Sequence, residues 1–378
     1  MNRNERVEWS ISRFYQYRAS RANPVALAGR RPRPNTTAIA AYDVGMSAIP
    51  ATFRAYVAEK VEDEVERGVR AFRESDLPPG EVEVRVTWSS VNYKDGLATR
   101  ADGKVARISP LIPGIDLAGE VVASSDPSFA VGAGVLVHGY ELGVSRHGGY
   151  AEFERVPADW VVPLPPGLSA REAMSIGTAG FTAAMSVAAL EERGLDPADG
   201  PVLVTGASGG VGGTALAILA DRGYEVWAAT GKPDEAARLL TIGATGILSR
   251  DQVTAEGKPL ESERWAGAVD AVGAATLPYV LRTLRTGASV AACGNAGGAK
   301  FETTVFPFIL RGTALLGMDS VNMPIARRRD LWDRLATDLR PRDLGVHCTE
   351  VTLDTLDEAL DAIVAGAARG RWVVRIGE

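Results

Sequence analysis

The sequence has few of the residues that build disulfide or metal frameworks. It contains two cysteines, Cys293 and Cys348, and three histidines in 378 residues, with no Cys-x-x-Cys pair and no cluster of His138, His147 and His347. This scarcity argues against both a disulfide-stapled fold and a structural zinc site. It is typical of a protein of the reducing cytoplasm, which is the location that we predict.

Long apolar runs and a strong positive charge are also missing from most of the chain. No run of eighteen apolar residues occurs, so the sequence predicts no membrane-spanning segment and no membrane partner. The formal net charge is −6, but residues 1–45 alone carry eight arginines against three acidic residues, a net +5 that leaves −11 for the rest. An acidic body argues against nucleic acid as the main partner.

Residues 1–45 lack a clean hydrophobic periodicity and contain the stretch Pro-Arg-Pro-Asn. This composition predicts a basic, disordered arm. Two origins for it stay open: a genuine extension, or a start codon assigned upstream of Met46, after which the sequence looks like the beginning of a domain.

Pro201–Lys232 has the pattern of a complete nucleotide-binding β-α-β unit. An apolar run, Val202–Val204, ends in a glycine-rich turn, and apolar residues then recur at helical spacing before a second strand, Tyr224–Ala229. The turn therefore lies at a helix N-terminus, where free N–H groups and the helix dipole suit a pyrophosphate. The alternative is a glycine-rich connector without a ligand. The expected contacts are Ala207, Ser208, Gly209, Gly210 and Val211.

The end of the second predicted strand indicates which dinucleotide binds. Enzymes for NAD usually carry an acidic residue there, whereas this strand runs into Thr230, Gly231 and Lys232. A carboxylate would repel a 2′-phosphate, and a hydroxyl and an ammonium would hold it. The sequence therefore favours NADPH, with Thr230 and Lys232 in its site. Arg238, one helical turn further, is either a second cation there or a solvated charge on a helix face.

The distribution of strand and helix patterns predicts an α/β chain. Glu81–Val86 alternates strictly, which places three valines on one face of a half-buried strand, and short strands cut by glycine and proline follow it. Strands and helices then alternate, as in a doubly wound parallel sheet. We predict a catalytic β-barrel domain over residues 46–168, a nucleotide-binding domain over 169–320, and a return to the first domain over 321–378.

Seven motifs occur in register between about Met46 and the C-terminus: SSVNYKD, IPGIDLAG, GTAGFTA, VTGASGGVGG, WAGAVDAVG, AACG and FPFILRG. Together they resemble the medium-chain dehydrogenase/reductase superfamily, and within it the zinc-free quinone oxidoreductase branch of the YhdH/AcuI type. The resemblance implies a Rossmann-type domain inserted in a GroES-like antiparallel barrel. It also implies NADPH-dependent reduction of acrylyl-CoA or a similar short 2-enoyl thioester, and a homodimer paired through the strand near residues 313–317.

The sequence departs from the zinc-dependent members of the superfamily. Ile115 and Asp116 stand where those enzymes have a His-Glu pair, and their catalytic cysteine and cysteine-rich lobe are missing. No metal is therefore expected. Hydride transfer to an activated alkene needs hydrogen-bond support for an enolate and a proton source rather than a Lewis acid. Two alternatives stay open: a reductase of quinones or enones, and an NADPH-binding redox sensor or structural protein without turnover.

The candidate catalytic residues are Asn92, Tyr93 and Asp116. In a functional role, Asn92 donates to the substrate carbonyl oxygen, and Tyr93 or a bound water protonates the α-carbon. Otherwise Asn92 caps a turn and Tyr93 packs in the core; the resemblance favours the functional role. Asp116 lies between two apolar residues, and it is either a buried, paired site residue or the cap of the next element.

Further cofactor contacts are implied mainly by the resemblance. Thr178 would bind the nicotinamide or its ribose, and Arg311, in the loop Phe308–Arg311, would bind a phosphate. Asn295 follows a predicted strand end on the cofactor side of the sheet. Cys293 is predicted to be a small apolar filler, because nothing nearby in the sequence would lower its pKa.

Two groups of arginines are considered as substrate contacts. Arg327, Arg328 and Arg329 open a predicted helix, where three cations oppose the dipole. They would suit the phosphates of a CoA ester, or else they form a solvated face that pairs with Asp330 and Asp333. Arg371, in the closing strand, could reach the active site, but we keep it outside the predicted set.

Overall fold

The computed structural model describes residues 47–342, 344 and 348–377, so the predicted arm and His347 lie outside the described residues. Its first part is mainly strand: β1 (Thr52–Val61), β2 (Glu64–Arg73), β3 (Val82–Ser90), α1 (Tyr93–Ala98), β4 (Asp116–Ser124), β5 (Gly134–His138), β6 (Phe153–Val156) and β7 (Val162–Pro163). Strand β3 forms as expected from its valines, since Val82, Val84 and Val86 are at most 1% exposed.

Strands and helices alternate in the middle of the chain. The elements are α2 (Ala170–Glu192), β8 (Val202–Thr205), α3 (Gly210–Asp221), β9 (Val226–Thr230), α4 (Ala236–Thr241), β10 (Gly246–Ser249), α5 (Arg250–Thr254), β11 (Trp265–Asp270), α6 (Thr276–Thr283), β12 (Leu284–Ala292), α7 (Phe306–Arg311) and β13 (Ala314–Gly317). The last described elements are α8 (Ile325–Leu335), β14 (Cys348–Thr352), α9 (Leu356–Val364) and β15 (Arg371–Arg375).

Two large sheets organise most of these elements, and β1 and β2 form a separate antiparallel pair. The parallel sheet has the order β10-β9-β8-β11-β12-β13. This is the strand order of a Rossmann fold, and it confirms the predicted fold class. The other sheet has the order β14-β15-β3-β4-β5-β7, with β6 also paired to β3. The closing strand β15 therefore joins β3 of the first part, while the exact domain bounds stay a prediction.

The carboxyl ends of the parallel strands meet at one edge of their sheet. The turn between β8 and α3 lies there, because β8 is followed directly by the glycine-rich segment. Strand β8 is fixed by its apolar side chains, since Val202, Leu203 and Val204 are completely buried. The sheet thus holds the turn on a rigid base.

Helix α2 differs from the expectation in two ways. It is long and apolar enough, by length and composition, to cross a membrane, although glycine, serine and threonine interrupt its apolar residues. However, 83% of its most apolar window is buried inside the protein. The helix is also broken at Gly177, whose φ of 51° and ψ of −164° are not helical. Its apolar residues pack against β3, β4 and β12 rather than facing outward.

Candidate active site

The glycine-rich turn has the geometry of an anion cradle. Gly206 has a φ of 61°, which favours glycine, and a Cβ on Gly212 would overlap the carbonyl oxygen of Gly206. Helix α3 begins after Gly209, and no side chain caps its first turn. The first N–H groups of a helix need partners, and a pyrophosphate supplies them. The predicted residues Ala207, Ser208, Gly209, Gly210 and Val211 all lie in this segment.

The end of β9 carries the residues predicted to select NADPH, but their polar groups are already engaged. The Thr230 hydroxyl donates to Ser208 Oγ at 3.1 Å and accepts from the Lys232 N–H at 3.0 Å. The Lys232 ammonium donates to the carbonyl oxygen of Ala368 at 2.6 Å, and burial lowers its pKa. Arg238 is not a solvated charge: it pairs with Glu235 at 2.6 Å and reaches the Ser208 carbonyl.

Asp116 is the centre of a buried polar cluster. Its side chain is 0% exposed and accepts hydrogen bonds from Asn92 Nδ2 at 2.8 Å, Thr178 N at 3.0 Å, Thr178 Oγ1 at 2.5 Å and Ser90 Oγ. Four donors satisfy a buried carboxylate well. Of the two predictions for Asp116, the structure supports the buried, paired residue.

Gly177 is the position around which this cluster closes. A Cβ on Gly177 would lie 2.5 Å from Arg371 Nη2, 2.7 Å from Asp116 Oδ2 and 2.7 Å from Ser90 Oγ. Three polar side chains thus fill the space that a side chain at Gly177 would need. Its positive φ is a second, independent reason for glycine.

Asn92 is the N-cap of α1 and lies between two buried carboxyl groups. Its side-chain N–H groups face Asp116 at 2.8 Å, Ser90 Oγ at 3.2 Å and Asp95 Oδ2 at 3.3 Å. Its backbone N–H also donates to Asp95 Oδ2 at 2.8 Å, so Asn92 caps a helix as well as belonging to the cluster. Both of the roles considered for Asn92 are therefore compatible with its position.

Asp95 was missed by the sequence analysis. It is 0% exposed, and Asp95 Oδ1 accepts from the backbone N–H of Ile115 at 2.9 Å, which ties α1 to the turn before Asp116. Burial, and then the nearby charge of Asp116, raise the pKa of Asp95 to about 7. The only available signal was its place three residues after Asn92, the spacing of a helix cap.

Arg371 belongs to the cluster, although the sequence analysis kept it outside the predicted site. It is 8% exposed, and it donates to Ser90 Oγ at 2.8 Å, Ser175 O at 3.0 Å and Asn92 Oδ1 at 3.3 Å. Its aliphatic part also lies against the phosphate turn, because a Cβ on Gly210 would be 3.0 Å from Arg371 Cδ. Pairing of β15 with β3 brings Arg371 to the cluster. The sequence did not indicate this contact, because the two strands are far apart in the chain.

Comparison with known proteins shows the family to which the chain belongs. Residues 78–166 match the family described as the alcohol dehydrogenase GroES-like domain, and residues 210–337 match the zinc-binding dehydrogenase family. The chain is 50% identical over 327 residues to the acrylyl-CoA reductase AcuI of Ruegeria pomeroyi, covering 86% of this chain and 99% of that protein. It belongs to the medium-chain dehydrogenase/reductase superfamily. Its place within that superfamily is the YhdH/AcuI branch.

Solved structures of this reductase branch agree with the fold. The Salmonella enterica YhdH oxidoreductase in complex with NADP has a TM-score of 0.84 and 49% identity, over 86% of this chain and 100% of that one. The Bacillus subtilis protein YhfP with NAD bound has a TM-score of 0.84 and 48% identity, over 86% and 100%. Similar members of the branch are thus solved with different dinucleotides.

The remaining predicted contacts of this medium-chain reductase lie at different distances from the cluster. Thr178 is part of it, through both its N–H and its hydroxyl. Tyr93 is 46% exposed at the start of α1, so it does not pack in the core. Asn295 is exposed on the loop after β12, at the carboxyl edge of the parallel sheet. Burial raises the pKa of Cys293 to about 12, which fits a filler rather than a nucleophile.

The position of Arg311 argues against its predicted phosphate contact. Its guanidinium donates to the carbonyl oxygens of Arg282 at 2.9 Å and Leu284 at 3.0 Å, and it pairs with Glu263 at 3.6 Å. Leu284 begins β12, so Arg311 lies at the amino end of that strand, opposite the phosphate turn. The motif FPFILRG gives no information on which edge of the parallel sheet Arg311 faces.

The three arginines of α8 do not act as a set, so neither prediction describes all three of them. Arg328 is 0% exposed and binds the carbonyl oxygen of His138 at 2.7 Å and that of Val321 at 3.0 Å. Arg329 donates to the carbonyl oxygen of Val161 at 2.8 Å, and Arg327 is exposed. Their different roles follow from helical spacing, which turns consecutive residues to different faces.

Within the described ranges, no group of three or more His, Cys, Asp and Glu side chains is arranged to hold a metal ion. His138 illustrates why: it is completely buried, Trp332 Nε1 donates to its Nε2 at 2.8 Å, and Arg328 lies against its ring. Burial, and then the charge of Arg328, lower its pKa well below the ordinary value. His138 therefore has a packing role in the structure.

Proposed function

We propose that this protein reduces the activated C=C bond of acrylyl-CoA or a similar short 2-enoyl thioester, with NADPH as hydride donor. One observation carries the proposal. Arg371 connects the polar cluster around Asp116 with the phosphate turn at Gly210, so the two parts of a reductase site are in contact. The 50% identity to an acrylyl-CoA reductase supports the same substrate class.

The residues present fit a dinucleotide. The uncapped first turn of α3 and the close approach permitted by Gly212 suit a pyrophosphate. The residue after β9 is Gly231, so no carboxylate occupies the position that would repel a 2′-phosphate. When bound, NADPH supplies the hydride for the β-carbon; the chain must orient the thioester, support the enolate oxygen and deliver a proton.

Asn92 is the residue that we assign to the thioester carbonyl oxygen. Its contact with Asp116 Oδ2 is short, at 2.8 Å, while its contacts with Ser90 and Asp95 are longer, at 3.2 Å and 3.3 Å. Those two acceptors compete for one N–H, which makes it the more easily redirected donor. A fixed donor aimed at an oxygen that gains charge lowers the barrier of the reaction. Asp116 and Arg371 hold the Asn92 amide in place.

Tyr93 is the proton donor that we assign, either directly or through water. It is exposed, at 46%, and adjacent to Asn92 in the chain. In the described part of the chain its hydroxyl makes no hydrogen bond that would hold it elsewhere. Proton transfer from a positioned hydroxyl to the α-carbon completes the addition of a hydride and a proton across the double bond.

We also propose that the enzyme works in the cytoplasm as a homodimer. Strand β13 ends the parallel sheet, and Val305, Ile309 and Leu310, in the segment that precedes it, are 61%, 68% and 62% exposed. An open strand edge with exposed apolar residues suits pairing with a second copy. Both cysteines are free thiols, as a reducing compartment requires.

A steady-state assay of NADPH oxidation tests the activity. We expect acrylyl-CoA to give a specificity constant at least about 100-fold above those for a quinone and an enone, because a site built for one acceptor rejects others by such factors. A preference for the quinone or enone would select the alternative reductase. Tight NADPH binding without oxidation by any of the three acceptors would indicate a binding protein.

A further inference from the structure

The basic residues near the end of β9 are mostly committed to other protein groups. Lys232 is held by the carbonyl oxygen of Ala368 at 2.6 Å, and Arg238 is paired with Glu235 at 2.6 Å. Arg369 pairs with Asp234 and lies 3.4 Å from Glu235. Each already directs its charge at a protein acceptor, so a phosphate would have to share the cation with that acceptor. These residues therefore give a weak basis for selecting NADPH.

Arg250 is the exception at this edge. Parallel pairing aligns Ser249 with Thr230, so Arg250 follows β10 beside the residue that follows β9. A Cβ on Gly231 would overlap the Arg250 guanidinium, with its Cζ only 2.6 Å away. Arg250 is exposed, and among the residues that the structure describes its guanidinium makes no hydrogen bond or ion pair. Five donors are thus available directly over Gly231.

We propose that Arg250 is the residue that selects NADPH over NADH in this chain, with Gly231 as the surface on which its guanidinium rests. The adenosine ribose of a dinucleotide bound on the α3 turn lies at the end of β9, which is where Arg250 projects. A guanidinium binds a phosphate with two parallel hydrogen bonds, and NADH offers no such group. The glycine is required because any side chain would displace the guanidinium. This inference rests on the proposed use of NADPH.

Binding measurements on the full-length protein test Arg250 without turnover. Calorimetry would compare NADPH with NADH, and adenosine 2′,5′-bisphosphate with 5′-AMP, for the wild type, R250A, R250K and K232A. We expect R250A to weaken NADPH and the bisphosphate by about 10- to 100-fold, the range for a lost charged hydrogen-bond pair, with NADH and 5′-AMP changed less than about twofold. R250K should be intermediate, and K232A should change NADPH binding by less than about threefold.

A second variant checks the role of Gly231 independently. G231A places a methyl group against the end of a flexible side chain, so the protein can still fold while the guanidinium shifts. NADPH binding should weaken by about 3- to 30-fold in G231A, and the double variant G231A/R250A should bind no more weakly than R250A. Additive losses would show that Gly231 acts separately from Arg250.

The outcomes separate this inference from the proposed function. If R250A binds NADPH and the bisphosphate as the wild type does, or loses NADPH and NADH equally, Arg250 is not the selective residue, although the reductase proposal stands. A selective loss in K232A instead would return the role to Lys232. If the wild type binds neither dinucleotide, the proposed function itself fails.

Discussion

The phosphate turn and the Asp116 cluster assemble their groups in opposite ways. The turn uses one contiguous segment, residues 206–213, and presents mainly backbone N–H groups. The cluster uses side chains from β3, the start of α1, β4, α2 and β15, and Ser90 and Arg371 are far apart in the described chain. A site made of backbone groups tolerates side-chain changes outside its closely packed glycines, whereas a site made of side chains from several elements depends on every member.

The two regions also differ in the charged side chains that they contain. The turn offers donors to an anion from outside, so it has no charged side chain of its own. The cluster buries Asp95, Asp116 and Arg371 and satisfies them internally. Removing one buried charged group leaves its partners without hydrogen bonds, which costs more than removing an exposed one. This contrast can be tested by substitutions that separate fold stability, turnover and nucleotide binding.

The largest effect is expected for Gly177→Ala. Its methyl group would overlap Arg371, Asp116 and Ser90, and its φ of 51° adds strain. We expect the free energy of unfolding to fall by about 3 to 5 kcal/mol, as for severe crowding plus an unfavourable φ. Gly194→Ala is the matched control, because its φ is 92° but no atom lies within 4 Å of the new Cβ. Equal losses in denaturant unfolding would mean that strain alone, and not the cluster, requires glycine.

Asp116→Asn should come next, with its main effect on turnover. The new amide group faces donors from Asn92 and Thr178 instead of accepting from them. We expect kcat to fall at least about 100-fold while NADPH affinity changes less than about threefold, because a lost positioning group costs about 3 kcal/mol in the transition state. Asp333→Asn, at an exposed position of α8, is the control. A parallel loss of NADPH binding would show that cluster and turn are not separable.

Asp95→Asn should alter how stability depends on pH. The folded-state pKa of Asp95 is raised to about 7, above the ordinary value of 3.8, so its contribution to stability is complete below about pH 4 and is lost as the pH rises through about 7. The variant lacks this titration. Its deficit in unfolding free energy relative to the wild type should therefore shrink by about 2 to 3 kcal/mol between pH 5 and pH 8. Parallel stability curves over that interval would contradict a raised pKa.

The smallest effect is expected for Ser208→Ala, in the turn. The Ser208 hydroxyl accepts from Thr230 at 3.1 Å, while the proposed pyrophosphate contacts are backbone N–H groups. NADPH affinity should change by less than about threefold, as expected for one neutral hydrogen bond away from the ligand. Gly210→Ala provides the contrast, since its Cβ would lie 3.0 Å from Arg371 Cδ. A loss above tenfold in Ser208→Ala would mean that the turn also depends on side chains.

What could be predicted from the sequence follows the same division. The turn and the parallel sheet were predictable because strand, glycine turn and helix follow one another in the chain, and Val202–Val204 marked the strand that is now buried. Asp116 and Asn92 were found through motifs. Arg371 was undervalued because only the pairing of β15 with β3 brings it to Asn92. Arg250 was missed because parallel pairing of β10 with β9, which no local pattern reveals, sets it beside Gly231.

The break in α2 has a consequence for where the site obtains its polar groups. An uninterrupted helix would use the carbonyl oxygens of Met174 and Ser175, and the N–H of Thr178, for its own internal bonds. Here Arg371 takes both carbonyl oxygens, at 3.4 Å and 3.0 Å, and Asp116 takes the N–H at 3.0 Å. One residue's departure from regular geometry thus gives a cation and an anion fixed backbone partners in an otherwise apolar interior. The interruption of α2 therefore holds the polar side chains of the site in position.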